Sequence, residues 1–236
     1  MRVKVLIIHV KGNSEREHHI KKEVERNALS CEFVLEGNKE ELNQEILKAY
    51  FTGEMLLPGA RTSCAYKHFR AYEKLLLTDH SYALIIEDDM KLFGLFNKFF
   101  SKSLNEIADK KIKNFILSYE YSHTQSVRYS QRKKGEIIYK KEAGRFTGLY
   151  LIDRSGATSL LKYAQEQKCA TPIDWFHNEC ISNKVVDVYW SYPALGQQSS
   201  HDGHMRSLID DNKHSSLRAN IYKLKRLYSY FIHNIT

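Results

Sequence analysis

Alternating strand and helix signals in the first fifty residues predict an α/β protein whose strands join through parallel crossovers. The opening run Val3-Lys4-Val5-Leu6-Ile7-Ile8-His9-Val10 is β-branched and nearly continuous, the pattern of a strand buried on both faces of a parallel sheet. Ser14 and Glu17 then form a Ser-x-x-Glu box that opens a helix. The same order repeats at once, with a strand at 31–35 and a helix whose apolar face is Leu42, Ile46, Leu47 and Tyr50 behind the cap pair Asn38 and Glu41. Composition agrees: 42% of the 236 residues are apolar and 27% charged, which excludes disordered, collagen-like and coiled-coil chains.

The remaining elements follow in order. Ile20, Val24 and Ala28 keep the buried stripe of the first helix. Residues 52–61, with Gly53 and Gly59, read as a loop, and 63–77 as a helix carrying Cys64, His68, Tyr72, Leu75 and Leu76 on one side. Residues 82–86 form a buried strand closed by Glu87-Asp88-Asp89. Further strands are expected at 115–119, 137–139 and 148–152, a helix at 155–164, a helix-like stretch at 175–181 and a last strand at 185–190. The polar, tyrosine-rich stretch 120–132 reads as a long loop of the kind that serves as a lid. From 217 onward Leu217, Ile221, Leu224, Leu227, Tyr228 and Phe231 recur at helical spacing among Arg218, Lys223, Lys225 and Arg226, which makes 211–236 a basic amphipathic helix.

A formal charge of +8 favours anionic partners: nucleic acid, a phospholipid surface or a phosphorylated substrate. Cys31, Cys64, Cys169 and Cys180 are scattered, as in a reduced, cytoplasmic protein. The N-terminal run lacks the length and cleavage site of a signal peptide, and no apolar run approaches the roughly 20 residues of a spanning helix.

The sharpest feature is the acidic triplet at a strand end, where ligands of open α/β sheets sit. Adjacent carboxylates repel one another, and a hard dication such as manganese or magnesium relieves that repulsion. Side chains alternate along a strand, so an ion takes one or two of the three, Asp89 first and then Glu87 or Asp88. An acidic surface turn is the competing reading. Two rival functions also fit parts of the chain. A basic nucleic-acid-binding protein would use the charge and the tyrosines but leaves the triplet without purpose. An α/β metal-dependent phosphatase or nucleotidyltransferase would use the metal, yet no Asp-x-Asp motif follows the first strand.

An ordered set of segments resembles glycosyltransferase family 25, the bacterial lipooligosaccharide galactosyltransferases. It comprises the strand ending near His9 with Arg16 beyond it, Ser63-Cys64-Ala65-Tyr66-Lys67-His68, Ile85-Ile86-Glu87-Asp88-Asp89, and Thr147-Gly148-Leu149-Tyr150-Leu151-Ile152 with Ser155-Gly156-Ala157. Pro172-Ile173-Asp174 and Pro193 with Gln197-Gln198 complete it. Ser63 and Lys67 depart from the Gly and Ser usual at those places. The resemblance implies a GT-A-like, Rossmann-type mixed sheet flanked by helices, with the C-terminal helix as a tail. The glycosyltransferase domain would span 1–210, with a nucleotide-sugar half at about 1–120 and an acceptor half at about 121–210. It also implies inverting transfer of a hexose, galactose from UDP-galactose, onto a lipid-linked lipooligosaccharide or lipopolysaccharide saccharide, with Mn2+ or Mg2+ as cofactor and no nucleic acid as partner.

Under that resemblance the metal ligands are Asp89 and Asp88, joined from the C-terminal side by His201 or His204 with Asp202 as an alternative. Donor contacts come from His9, Arg16, Arg61, Lys67, His68, Glu87, Asp88 and Gln198. The general base is Asp174, equally readable as a helix cap, with Glu179 in reserve. His68 on its helix face is equally a packed core histidine, and Lys67 an exposed lysine. Trp175, Trp190 and Tyr150 are candidates for stacking on sugars, although the last two lie in strand patterns and suit a core. The basic tail suits adsorption on the anionic inner membrane, or docking on the domain with a solvated face.

Overall fold

A computed structural model describes residues 2–122 and 125–199. The chain runs β1 (Val3–Ile8), α1 (Ser14–Arg26), β2 (Cys31–Val34), α2 (Gln44–Tyr50), α3 (Ala60–Leu76), β3 (Tyr82–Glu87), β4 (Met90–Leu92), α4 (Phe96–Asp109) and β5 (Phe115–Ser118). It continues with β6 (Ile138–Lys141), β7 (Leu149–Asp153), α5 (Arg154–Gln167), α6 (Ile173–Ser182), β8 (Asp187–Ser191) and β9 (Gly196–Gln198). Seven strands form one sheet in the order β2-β1-β3-β7-β5-β8-β6, and β4 pairs with β9 in a separate ribbon. β1 runs parallel to β2 and β3, and β5 parallel to β8, while β7 is antiparallel to β3 and β5, and β6 to β8. The expected mixed α/β sheet flanked by helices is therefore the one formed.

The two-residue period of the strands splits the core into two layers. Leu6, Ile8, Ala83, Ile85, Tyr150 and Ile152 pack against α2, α3, α5 and α6 on one face. Val5, Ile7, Leu84, Ile86, Leu149 and Leu151 pack against α1 and α4 on the other. Strands covered on both sides need apolar residues at every position, which is why β1 and β3 read as continuous runs rather than alternations.

Several expectations are corrected. The cap of α1 is Asn13, whose side chain accepts from the Arg16 backbone N–H at 3.2 Å, so Ser14 is already helical; Ala28 is exposed at φ +52° beyond the helix. α3 begins at Ala60, within the expected loop, because Thr62 Oγ1 ties its first turn back to the carbonyl of Leu57 at 2.9 Å. β4, α4 and β9 are additional, and β9 rather than the 185–190 strand comes last among the described residues. The 120–132 loop holds a short 3-10 turn at Tyr129–Gln131. The tail helix of 211–236 lies outside the described residues, as do His201, Asp202 and His204.

This topology sets up a crevice. Ile8 pairs with Glu87, so β1 and β3 end side by side and deliver His9 and the acidic triplet to one edge. Backbone bonds fix the triplet there, from Glu87 N–H to Gly148 O at 2.8 Å, Asp88 N–H to Ile8 O at 3.1 Å and Ser199 N–H to Asp89 O at 2.8 Å.

Candidate active site

A cavity of about 880 Å³ opens over these strand ends. Its lining includes His9, Arg16, Asp88 and Asp89, and Pro172, Asp174 and Trp175 from the start of α6. Arg61 and Lys67 of α3, with Glu87 and Gln198, complete the expected residues that border it.

Asp88 is the electrostatic hub. Arg16 Nη1 donates to its Oδ1 at 2.6 Å and His9 Nδ1 lies 2.8 Å from its Oδ2, while Arg16 Nη2 stands 3.6 Å from Asp89 Oδ2. Burial alone would raise the Asp88 carboxyl, but the bonds to His9 and Arg16 outweigh it and hold the group below the ordinary carboxylate range. Burial likewise opposes the charge on Arg16, and the pull of Asp89, Asp88 and Glu87 overcomes it.

Glu87 points another way. Its Oε2 accepts from Gln198 Nε2 at 3.1 Å, and its Oε1 lies 3.2 Å from Thr147 Oγ1 and 3.4 Å from His68 Nε2. Gln198 reaches it because β4 and β9 pair with Met90 opposite Gln198. Gly148 makes this approach feasible: a Cβ there would meet Met90 Sδ at 2.7 Å, Glu120 Oε2 at 2.9 Å and Gln198 Nε2 at 3.0 Å.

Behind Glu87 a buried chain of polar rings crosses the core. His68 Nδ1 bonds Tyr150 Oη at 2.7 Å, Tyr150 Oη bonds Tyr72 Oη at 2.8 Å, and Tyr72 Oη bonds His177 Nε2 at 2.7 Å. Burial, reinforced by His68, pushes His177 down to about 3, so it is neutral. The chain couples α3 and β7 to α6, the helix that presents Asp174. It places His68 beneath the site rather than in its lining, where the sequence had it as a donor contact.

Asp174 sits in the first turn of α6, whose N-cap position is held by Pro172 without a side-chain bond. Burial and the repulsion of Glu87 push its carboxyl above the ordinary value, against backbone N–H groups of the turn and His68. The half-buried carboxyl thus borders the cavity while bonding backbone N–H groups of the first turn, so both the base and the cap readings stay open. Glu179 does not border the cavity; it accepts from Tyr163 Oη at 3.0 Å.

The two departures from the family pattern share one structural use. Ser63 Oγ donates to Gly37 O at 2.7 Å, and Lys67 Nζ to Leu35 O at 2.9 Å and Glu36 O at 3.3 Å, so both strap α3 to the loop after β2. Lys67 is buried, not exposed, and burial pulls its ammonium down to about 8 against the attraction of Glu41 and Glu36. Gly37, at φ +91°, is required at this junction, since a Cβ would lie 2.4 Å from Tyr66 Cδ1. Trp190 and Tyr150 are core, as their strand positions suggest.

The residues divide into two donor sets for a metal. Glu87, Asp88 and Asp89 present carboxylate oxygens, which fit a hard dication. Asp88 and Glu87 each have protein partners on both oxygens and Asp89 Oδ2 lies 3.6 Å from Arg16 Nη2, so an ion at the triplet would share these carboxylates with the contacts already made. Cys64, His68 and Glu87 form a second group, with ligand atoms within 4.8 Å of one another. Burial raises the Cys64 thiol well above its ordinary value, so this group is neutral at sulfur. Lys11, Lys39 and Phe146 also line the cavity and were not singled out by motif, and Asn38, read as part of a cap pair, lines it too. Tyr72 was legible only as part of a helix face.

The fold is an α/β sheet with a cavity over the carboxyl ends of β1 and β3, and comparison supplies the chemistry. The family model described as glycosyltransferase family 25 (LPS biosynthesis protein) matches residues 2–177. The chain belongs to this family and is a glycosyltransferase. Among solved structures it is similar to a glycosyltransferase involved in the glycosylation of the major capsid of PBCV-1, at 11% identity over 84% of this chain and 94% of that one, TM-score 0.45. It is also similar to A197 from STIV, at 13% identity over 92% and 97% of the two chains, TM-score 0.44. A third likeness is to S. aureus TarS 1–349, at 13% identity over 98% and 72%, TM-score 0.40. No curated protein matches the chain.

Proposed function

We propose that the protein transfers a hexose, galactose from UDP-galactose, with inversion onto a lipid-linked saccharide of lipooligosaccharide or lipopolysaccharide. The observation that carries this reading is the presence, in one cavity, of charged groups at the ends of β1 and β3 together with the carboxyl of Asp174. Arg16, Lys11 and Arg61 supply cationic charge for a diphosphate, and Arg16 is pre-oriented by Asp88 so that no reorganisation accompanies binding. A hard dication, Mn2+ or Mg2+, held by Asp89 with Glu87, would supply further neutralisation of the leaving diphosphate.

Asp174 acts as the general base. Its carboxylate takes the proton of the acceptor hydroxyl as that oxygen bonds to the sugar's anomeric carbon, and the bond from that carbon to the phosphate oxygen breaks, leaving UDP. Its raised pKa moves it toward neutrality and strengthens it as a proton acceptor. The strap formed by Ser63 and Lys67 fixes the loop carrying Asn38 and Lys39, which borders the donor side.

No described helix is long and apolar enough to cross a membrane. The basic helical pattern at 211–236 would hold the enzyme against the anionic inner membrane, where a lipid-linked acceptor resides. The test is a screen of nucleotide sugars with Mn2+ against lipooligosaccharide acceptors. UDP release that requires both UDP-galactose and the saccharide supports the reading. Release without acceptor points to hydrolysis, and metal-free, salt-dependent binding of DNA or RNA would replace the reading altogether.

A further inference from the structure

The α6 wall of the cavity holds an unusual side chain. Trp175 is 65% exposed, although an indole forfeits on the order of 2 kcal/mol when it stays in water rather than in a core. Its exposure does not follow from a loose element. Ile173, Phe176, His177 and Cys180 on the same helix are buried, His177 is bonded to Tyr72 at 2.7 Å, and Asn178 accepts from the Gly144 backbone N–H at 2.8 Å. The helix is anchored on one face and holds Trp175 on the other, where it borders the cavity with Phe146, Pro172 and Ile173. Arg16, Asp88 and Asp89 line the same cavity and are charged. The cavity thus combines charged groups suited to a diphosphate with exposed apolar and aromatic surface suited to something else.

We infer that Trp175 is the platform of the acceptor subsite and binds a pyranose ring through its C–H face. This rests on the transferase reading above and names what its second substrate touches. A pyranose is amphipathic: its hydroxyls need polar partners, whereas the C–H groups on one side of the ring form a flat apolar face matched by an indole. Asp174 and Trp175 both border the cavity from the first turn of α6, so a sugar lying on the indole shares the cavity with the carboxyl that removes the proton. A flat sugar such as β-galactose, whose C3, C4 and C5 hydrogens share one face, fits this wall better than a flexible alkyl alcohol. The other tryptophan does not compete for the role: Trp190 is 8% exposed, donates Nε1–H to Ala143 O at 2.9 Å and lies under the Arg145 guanidinium at 4.4 Å.

The chain has 2 tryptophans, so fluorescence reads Trp175 almost directly. The full-length protein, and Trp190→Phe in which Trp175 is the sole indole, are titrated with lactose and with a lipooligosaccharide-derived oligosaccharide, with and without UDP. We expect a saturable change in emission and protection from acrylamide quenching. Trp175→Ala should raise the KM for the saccharide about tenfold or more, equivalent to about 1.4 kcal/mol, with UDP affinity unchanged, and Trp175→Phe should recover part of it. Indole emission that is indifferent to both saccharides overturns the inference, as does a Trp175→Ala variant that keeps the acceptor KM. Failure of the transferase reading shows differently, as absence of UDP release with any donor, while the titration still reports whether Trp175 binds a sugar.

Discussion

Replacing Arg16 by Met tests the electrostatic hub most directly. The Arg16 and Asp88 side chains are 10% and 5% exposed and their charged atoms are 2.6 Å apart. Removing the guanidinium leaves a buried carboxylate with His9 as its remaining close partner, and breaking a buried pair from one side costs about 3–5 kcal/mol. The loss should depend on pH in a defined direction. Asp88 is held below its ordinary value, so its contribution is complete above the unfolded carboxylate pKa of about 3.9 and disappears as pH falls through the lower folded value. Urea denaturation of wild type and Arg16→Met between pH 3 and 7 should therefore show a gap widest near neutrality that closes on the acid side. Asp88→Asn in the Arg16→Met background should restore part of the stability, because an amide carries no charge to strand. A gap below about 1 kcal/mol, the worth of an exposed pair, or one that does not change with pH, would refute the reasoning.

Other perturbations follow from the same geometry. Asp174→Asn should lower kcat by about 10²–10⁴ with UDP affinity intact, and should abolish an acid limb of the pH–rate profile that in wild type lies above the range of an ordinary aspartate, since the base works only when deprotonated. Tyr72→Phe removes both bonds at the centre of the ring chain and leaves His177 Nε2 buried without its partner; chemical denaturation should show a loss of about 1–3 kcal/mol. Gly148→Ala drives a methyl against Met90, Glu120 and Gln198, so thermal unfolding should reveal a cost of about 1–3 kcal/mol, with donor affinity weakened as Gln198 leaves Glu87.

Much of the frame was legible because it follows local rules. Strands covered on both faces must be apolar throughout, so β1 and β3 announced themselves, and the acidic triplet was visible as the place where that run stops. α4 was equally accessible: Phe96, Phe100, Ser103 and Ile107 are its buried stripe at helical spacing. β4 and β9, at three residues each, carry too little periodicity to be seen and exist because they pair with one another. At the opening of α1, Asn13 and Ser14 are both good caps, and only the backbone angles decide between them.

The candidate site divides in the same way. Residue type at a strand end marked Asp88 and Asp89, and the family resemblance pointed to His9, Arg16 and Asp174, but neither gave their relations. Chain order alone could not tell that Arg16 and His9 would grip the same carboxylate 72 or 79 residues away, or that Glu179, five residues beyond Asp174, would turn from the cavity toward Tyr163. Nor could it separate Lys67, drawn inward to three-dimensional neighbours at Leu35 and Glu36, from an ordinary surface lysine. What the linear order determined is whatever depends on a residue and its near neighbours: periodicity, caps and turns. Tertiary structure decided burial, pairing and charge state, because these depend on the distance between groups that only folding brings together and on the water that folding removes.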